Sequence, residues 1–495
     1  MGNGQWVNPK PATIENPALQ QTTYTLYTRR DILKTLLLTG AAGFPGTYLG
    51  AKPGRSSNNK HMKQIRITSV DCNFEREPLI RPFGFKGGYV TELWQAASLL
   101  QSETGIRKVG LSTQSVLWSD PQVYTHHSES GGNTLMYALT EYALQLIKGQ
   151  TFEDPVALQD HILEEVYQYG KKITGNPNLR MTFVLNALVS LDNAAWMLYA
   201  AENGLRTFDE MIPEQYRSAM SYHHSRVAGI PLISYNNPVA EITQIAEEGY
   251  FFLKIKLGQP GTQSEMLSKD MERISMIHKA LGNYSTANTA TGRLQYYFDA
   301  NGRYEKKETL LKLIDHIKKI GAFDQVAIIE EPFPEDAGIS VGDIPLRIAA
   351  DESAHTQQNV EERIRMGYSA IALKPIAKTL SMTLGMIKTA KAHNIPCLCA
   401  DLTVNPVLVD WNKNVAARIA PFPGLDTGLL ESNGPQNYKN WSTMQSYHPY
   451  PDAGWGKAER GIFNLDKSFY DKSGGVLSDS EHYMELFNRG RSGGH

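Results

Sequence analysis

Cysteine is scarce in this chain: Cys72, Cys397 and Cys399 are the only three among 495 residues. Three thiols cannot build a disulfide framework, and Cys397-x-Cys399 lacks the spacing and the company of a zinc site. An excess of either charge is missing too, with 49 Lys and Arg against 51 Asp and Glu. That balance argues against a nucleic-acid partner, and 41% apolar with 20% charged residues argues against wholesale disorder. No apolar run of about 18 residues or more occurs outside an N-terminal stretch, so no helix of a mature chain need span a membrane. The length exceeds one average domain and favours two domains plus tails.

The N-terminal stretch carries a paired arginine. Residues 28–34, Thr-Arg-Arg-Asp-Ile-Leu-Lys, lead into a short Gly/Ala-rich apolar segment. This resembles a twin-arginine export signal, in which the positive region stays cytosolic while a modest apolar region enters machinery that carries folded proteins. It implies an exported, periplasmic protein. The plainer reading has Arg29 and Arg30 on an ordinary amphipathic helix of a cytoplasmic one. Cleavage near Ala51, uncleaved anchoring and neither all stay open, because no clean small-x-small pattern is present. Residues 52–62, rich in Gly, Ser, Asn and Lys, read as a linker.

From Lys63 onward, Ile65, Ile67 and Val70 suggest a strand, and Thr91–Leu100, Thr134–Ile147, Leu158–Tyr169 and Thr182–Ala201 carry apolar residues at helical spacing. Beyond about Gly229 short apolar runs recur: Pro231–Tyr235, Phe251–Lys256, Tyr296–Asp299, Val326–Glu330, Arg347–Asp351, Ala370–Lys374, Pro396–Ala400 and Gly428–Glu431. Helical spacers stand between several of them, at Met266–Leu281, Lys306–Ile320, Gln358–Met366 and Thr379–His393. Eight runs apolar on both faces and separated by helices predict a (β/α)8 barrel of the TIM type. The predicted organisation is an N-terminal extension (1–62), an α+β domain (63–225), a barrel (226–440) and a tail (441–495) that packs back on the α+β domain.

The ends of these runs carry the chemistry. They read Lys254-Ile-Lys256, Asp299-Ala-Asn301, Glu330-Glu-Pro332, Asp351-Glu-Ser353 and Lys374-Pro375, with separations of 43, 31, 21 and 23 residues from Lys256 through Lys374. One polar ending per successive strand places them around the C-terminal rim, where barrel active sites are built; charges there are costly unless they serve a site. Three converging carboxylates repel one another unless a hard cation sits between them, and oxygen-only ligation favours Mg2+. Such a cation would stabilise a carboxylate losing its α-proton as an enediolate. Lys256 and Lys374, from the second and sixth strands, approach the same carbon from opposite sides. A lysine base must be neutral, so burial, the metal charge and Lys254 are expected to lower its pKa.

Lys-x-Lys, Asp-x-Asn, Glu-Glu-Pro, Asp-Glu-Ser and Leu-Lys-Pro in this order resemble the enolase superfamily, in the mandelate racemase/muconate lactonizing branch that includes dipeptide epimerases. The resemblance spans about residues 63–490. It implies one Mg2+ held by Asp299, Glu330 and Asp351, an acid/base pair in Lys256 and Lys374, and Lys254 as an electrostatic helper. It also implies that the α+β domain caps the barrel, with loops such as Arg81–Tyr89 closing over a small carboxylate substrate, and that the chain forms a homo-oligomer.

Other residues are weighed against plainer roles. Asn301, Glu331 and Glu352 adjoin the expected ligands and read as supports behind them or as helix caps. His126, His127, His223, His224 and His355 fall outside the strand-end series and read as surface or loop residues. Near Ala400 the seventh strand ends in Asp401, not in the histidine of relatives that racemise with one, which favours two-lysine chemistry. Asp401 either touches substrate or caps a helix. Glu431 and Asn433 on the eighth strand stand where Ala-Glu epimerases carry an Asp-x-Asp pair for the substrate ammonium; Glu-x-Asn puts dipeptide specificity in doubt. The expected reaction is epimerisation of a dipeptide or N-acyl amino acid. Cycloisomerisation, dehydration of an acid sugar and a non-catalytic periplasmic ligand-binding role are the rivals.

Overall fold

The structure is a computed structural model that describes residues 62–86 and 88–488; the arginine-pair segment lies outside them. The first layer is an antiparallel sheet in the order β3-β2-β1-β4, made of β1 (Ile65–Phe85), β2 (Gly88–Ser102), β3 (Arg107–Gln114) and β4 (Thr151–Phe152). Three long helices cover it: α1 (Pro121–Ile147), α2 (Pro155–Thr174) and α3 (Met181–Asn203). The first two start on an Asp-Pro pair. Asp120 accepts from the N–H groups of Gln122 and Val123, Asp154 from that of Ala157, and each proline fills a position whose N–H needs no partner.

The helical spacing read at Thr91–Leu100 is overturned, for this segment is the middle of β2. It pairs with β1 through Phe74 and Ala96 and with β3 through Ala97 and Leu111. Residues 93–100 are buried on both faces. A strand covered on both sides loses its period-two alternation, and its apolar residues then satisfy a helical pattern as readily. Helix α3 has the length and composition to cross a membrane, and residues 182–200 are buried in the fold as a core helix. It lies so close to β3 that a Cβ on Gly110 would stand 2.2 Å from the Ser190 carbonyl oxygen.

From Arg226 the architecture becomes a closed barrel of eight parallel strands with the α+β part as its N-terminal cap. The first strand has two halves, β5 (Arg226–Ile230) and β6 (Leu232–Ile233), interrupted at Pro231, which has no N–H to donate. Then follow β7 (Phe252–Lys256), β8 (Gln295–Asp299), β9 (Val326–Glu330), β10 (Ile348–Ala350), β11 (Ala370–Leu373), β12 (Cys397–Cys399) and β13 (Gly428–Glu431). Half β6 pairs with β7 while half β5 pairs with β13, and this closes the cylinder. The apolar runs thus mark the strands, except that the first begins at Arg226, ahead of Pro231. The outer layer includes α4 (Val239–Glu247), α5 (Gln263–Leu281), α6 (Lys307–Lys319), α7 (Gln357–Arg365), α8 (Leu380–Ala392) and α9 (Pro406–Ala416).

The tail joins both layers. Its β14 (Ala458–Glu459) and β15 (Ile462–Asn464) form a hairpin that adds antiparallel to β5. Further on, His482 lies 2.8 Å from Glu75, Lys108 pairs with Asp479 at 2.9 Å, and Asn73 donates to the Leu486 carbonyl. Cap and barrel also meet at Asp192 of α3. Its carboxylate accepts from the N–H groups of Leu380 (2.9 Å) and Ser381 (3.2 Å) and from the Ser381 hydroxyl, so a cap residue anchors the start of α8.

Candidate active site

Strand alternation builds the barrel mouth. Tyr297, Ile328, Ala349, Leu398 and Leu429 pack in one cluster that fills the barrel interior. Two residues further along, the same inward face presents Asp299, Glu330, Asp351, Ala400 and Glu431 at the C-terminal rim. Register sets them side by side, because Lys256 is directly opposite Asp299, and Asp299 directly opposite Glu330. Just past the strand ends the backbone is forced into the left-handed region at non-glycine residues, with φ of 44° at Asn301, 38° at Glu331 and 55° at Thr403. Each costs about 1–3 kcal/mol, the kind of strain that accumulates at sites of chemistry.

The expected residues fall into two linked groups. Lys254, 1% exposed, lies 3.1 Å from Asp299, 2.8 Å from Glu330 and 3.0 Å from Glu431. Lys256 donates to Asp299 at 2.6 Å and to the Asn301 amide oxygen at 2.7 Å. Across the mouth Lys374 pairs with Asp351. Carboxylate oxygens of Glu330, Asp351 and Glu352 lie within 4.8 Å of one another. Thus Glu352 joins Glu330 and Asp351, while Asp299 is engaged by the two lysines. Asn301 donates to Glu352 at 3.0 Å, and Glu331 turns back to accept from the N–H groups of Asp351 and Ser353.

Burial and charge pull these groups in opposite directions. Burial disfavours the Lys254 ammonium, but Asp299, Glu330 and Glu431 outweigh it and hold its pKa well above the ordinary value. Lys374 is raised likewise, burial being overcome by Asp351. The lowering expected for a lysine base is therefore absent at Lys374, because a carboxylate sits against its ammonium. Asp299 is pushed up by burial yet brought down to about 2 by Lys254 and Lys256. Glu330 is raised by burial and by the charge of Asp299, and its Oε1, like Glu352 Oε2, is buried without a partner. Two orphaned carboxylate oxygens in an all-oxygen cluster fit a hard divalent cation.

Glu431, Asp401 and Asn433 form a third group. Glu431 accepts from the Asp401 N–H (3.0 Å) and the Asn433 amide (3.2 Å), and Asp401 accepts from the Asn433 N–H (2.9 Å). Burial, then the charge of Glu431, raises Asp401 to about 7. Asn433 Oδ1 is buried and unpartnered. The cleft over the lysines is roofed by Phe83, Phe85, Val90, Leu93 and Trp118 of the cap. It measures about 30 Å³, room for about one water. Lys86 at the tip of the β1–β2 hairpin reaches Glu352 at 3.1 Å and donates to the Trp118 carbonyl at 2.6 Å, while Arg81 pairs outside with Glu241.

The sequence reading missed four participants. Tyr297 donates to Glu330 and shares the inward face with Asp299, a relation that period-two alternation could have shown. Lys378, wholly buried, lies 2.9 Å from Asp351 Oδ1 and donates to the carbonyls of Asp351 and Ala354; its signal is a lysine one helical turn after Lys374 in an apolar stretch. Lys86 lies in the Arg81–Tyr89 loop expected to close over the substrate, although the lysine itself was not singled out, and Trp118 carried no signal. The named histidines stay out of this cleft, although His355 is held at about 4 by burial behind Glu352. Cys397 and Cys399 are buried free thiols on the outward face of β12, and burial pushes Cys397 up to about 12.

A capped eight-stranded barrel whose successive strand ends present paired lysines, an acidic cluster and a third lysine opposite defines a class of barrel enzyme site. Residues 238–425 match the family described as enolase C-terminal domain-like, and this upholds the enolase-superfamily resemblance of the strand-end motifs. Among solved structures, a dipeptide epimerase from Cytophaga hutchinsonii complexed with Mg and D-Ala-L-Val is 16% identical, with a TM-score of 0.57, 81% of this chain covered and 93% of the other. A mandelate racemase/muconate lactonizing protein from Herpetosiphon aurantiacus is 16% identical, with a TM-score of 0.56 and coverage of 81% and 96%. The N-succinyl Arg/Lys racemase from Bacillus cereus ATCC 14579 is 16% identical, with a TM-score of 0.55 and coverage of 76% and 89%. At such identities the likeness is one of fold. No curated protein matches the sequence.

Proposed function

We propose that this protein is a Mg2+-dependent epimerase or racemase of a dipeptide or N-acylated amino acid, acting by removal and return of the proton α to a carboxylate. The observation that carries the reading is that Lys256 and Lys374 line one cleft from the second and sixth of eight strands. Inversion at carbon needs a proton taken from one face and delivered to the other, and two bases placed across a barrel meet that need.

Glu330, Asp351 and Glu352 would hold the cation, with Asp299 beside them. When bound, it would supply positive charge to the substrate carboxylate and so acidify the α-proton. The chain's own groups do the rest. Lys254 adds a fixed ammonium among Asp299, Glu330 and Glu431. Lys374, held charged by Asp351, is set to deliver a proton to the face it approaches; to act as base it must leave that contact. Asn433 Oδ1 is free to accept the substrate amide or ammonium N–H. The Phe83, Phe85 and Trp118 roof excludes water while the proton moves.

The test is chiral separation of each substrate after incubation with Mg2+: single epimers of dipeptides and N-acyl amino acids should convert to a mixture. Loss of water or ring formation would contradict the reading. The arginine pair supports a further proposal, that the protein is exported. Replacing Arg29 and Arg30 by lysine should retain it in the cytoplasm, and unchanged export would refute this.

A further inference from the structure

Below the ring of carboxylates the barrel interior is filled by Ile328, Ala349, Leu398 and Leu429. Two polar side chains interrupt that layer, Lys254 and Tyr297, which stand directly opposite each other on β7 and β8. Tyr297 is fully buried, and a hydroxyl in apolar surroundings is costly unless it is bonded. It faces Ile328 across the strand pair, so Glu330, two residues further along β9, lies on its diagonal, within reach of an aromatic side chain. There the Tyr297 hydroxyl donates to Glu330 Oε2, since a carboxylate only accepts.

Lys254 meets the same oxygen. Its ammonium lies 2.8 Å from Glu330 Oε2 and 4.8 Å from the centre of the Tyr297 ring, so the tyrosine bonds the carboxylate and also floors the ammonium beside it. Two groups therefore engage Oε2, a hydroxyl and an ammonium, and no protein group engages Oε1. Glu330 thus has one oxygen to give to a cation, and the other is held by the barrel floor.

We propose that Tyr297 is a positioning residue that makes Glu330 a one-oxygen ligand and thereby selects Mg2+ over Ca2+. The inference rests on the cation reading given under the proposed function. Ca2+ takes about 6–8 oxygens in a flexible arrangement and accepts a carboxylate through one oxygen or both, whereas Mg2+ demands a near-ideal octahedron. The two oxygens of one carboxylate sit too close together to fill adjacent corners of that octahedron, so a chelating glutamate favours Ca2+. With Oε2 held from below, Glu330 does not chelate. Without the hydroxyl, Lys254 is the only partner left on Oε2, and its ammonium has Asp299 at 3.1 Å and Glu431 at 3.0 Å to turn to. Oε2 is then free to swing toward the cation.

The experiment is calorimetric titration of the metal-free full chain with MgCl2 and with CaCl2, for wild type, Tyr297→Phe and Tyr296→Phe. Tyr296 is the control: it is the next residue of β8, also buried, on the opposite face, and its hydroxyl meets His278 at 3.1 Å instead of a carboxylate. Tyr297→Phe should shift the ratio of Mg2+ to Ca2+ affinity about tenfold toward Ca2+, by loosening Mg2+, tightening Ca2+ or both. Tyr296→Phe should leave the ratio at the wild-type value. The stoichiometry of each titration counts the folded fraction, so the ratio is readable even where a variant is partly lost. An unchanged ratio in Tyr297→Phe, or an equal shift in Tyr296→Phe, would overturn the proposal. Failure of wild type to bind Mg2+ would overturn the cation reading and the proposal with it.

Discussion

Asp192 ties the cap to the helix that follows Lys374, and its burial makes the stability of that joint depend on pH. Burial raises its folded-state pKa from 3.8 to about 7, against the pull of the N–H groups of Leu380 and Ser381. The folded protein therefore binds a proton that the unfolded chain releases near pH 4. This contribution is fully present below the unfolded pKa and is lost as pH rises through about 7. The shift is worth about 4 kcal/mol over its whole range, of which about 2 kcal/mol falls between about pH 5.5 and 8.5. Asn at 192 keeps the joint without the charge, since its oxygen can accept both N–H groups while its amide donates to the Ser381 hydroxyl. Urea unfolding of wild type and Asp192→Asn at both pH values gives a double difference in which all other titrating groups cancel. Wild type should lose about 2 kcal/mol more than the variant on going to the higher pH. Parallel behaviour within about 0.5 kcal/mol would refute the reasoning.

The remaining predictions concern the mouth. With Asp401 raised to about 7, its carboxylate charges as pH rises through that value; KM for a substrate with a free ammonium should fall over that range, and KM for an N-acyl substrate should not, as steady-state kinetics on both would show. Lys378→Met strips Asp351 of one of its two ammonium partners in a buried setting and should cost about 3–5 kcal/mol in urea unfolding; a loss below about 1 kcal/mol would contradict its role. Glu352→Gln removes a carboxylate from the acidic cluster and should weaken Mg2+ binding about 10–100-fold by calorimetry, more than Glu335→Gln, whose partner is Arg180.

The barrel was legible because its strands are buried on both faces and end in charge: a run such as Val326–Glu330 can be located from its apolar stretch and its final carboxylate. The same burial hid β2, since residues 93–100 are covered on both faces and have no exposed face to betray a period of two. The lysines and carboxylates of the mouth could be ordered around a rim because sequence spacing fixes which strand each residue ends. Which oxygens converge could not be read that way. Asp299 turned toward Lys254 and Lys256 while Glu352, one residue past a strand-end carboxylate, came into the cluster through a bend that alternation does not describe. Lys86 and Trp118 reach the site only through the folding of the cap over the barrel, a long-range contact with no local pattern.

The most direct test of two-lysine proton transfer is deuterium incorporation in heavy water, followed by mass spectrometry for wild type, Lys256→Ala and Lys374→Ala with a substrate that the wild type epimerises. Wild type with Mg2+ should place one deuterium on the α-carbon, a chelator should abolish this, and each variant should lose epimerisation while exchanging, at most, one of the two epimers. Full exchange of both epimers in either variant, or epimerisation without incorporation of deuterium, would contradict the account.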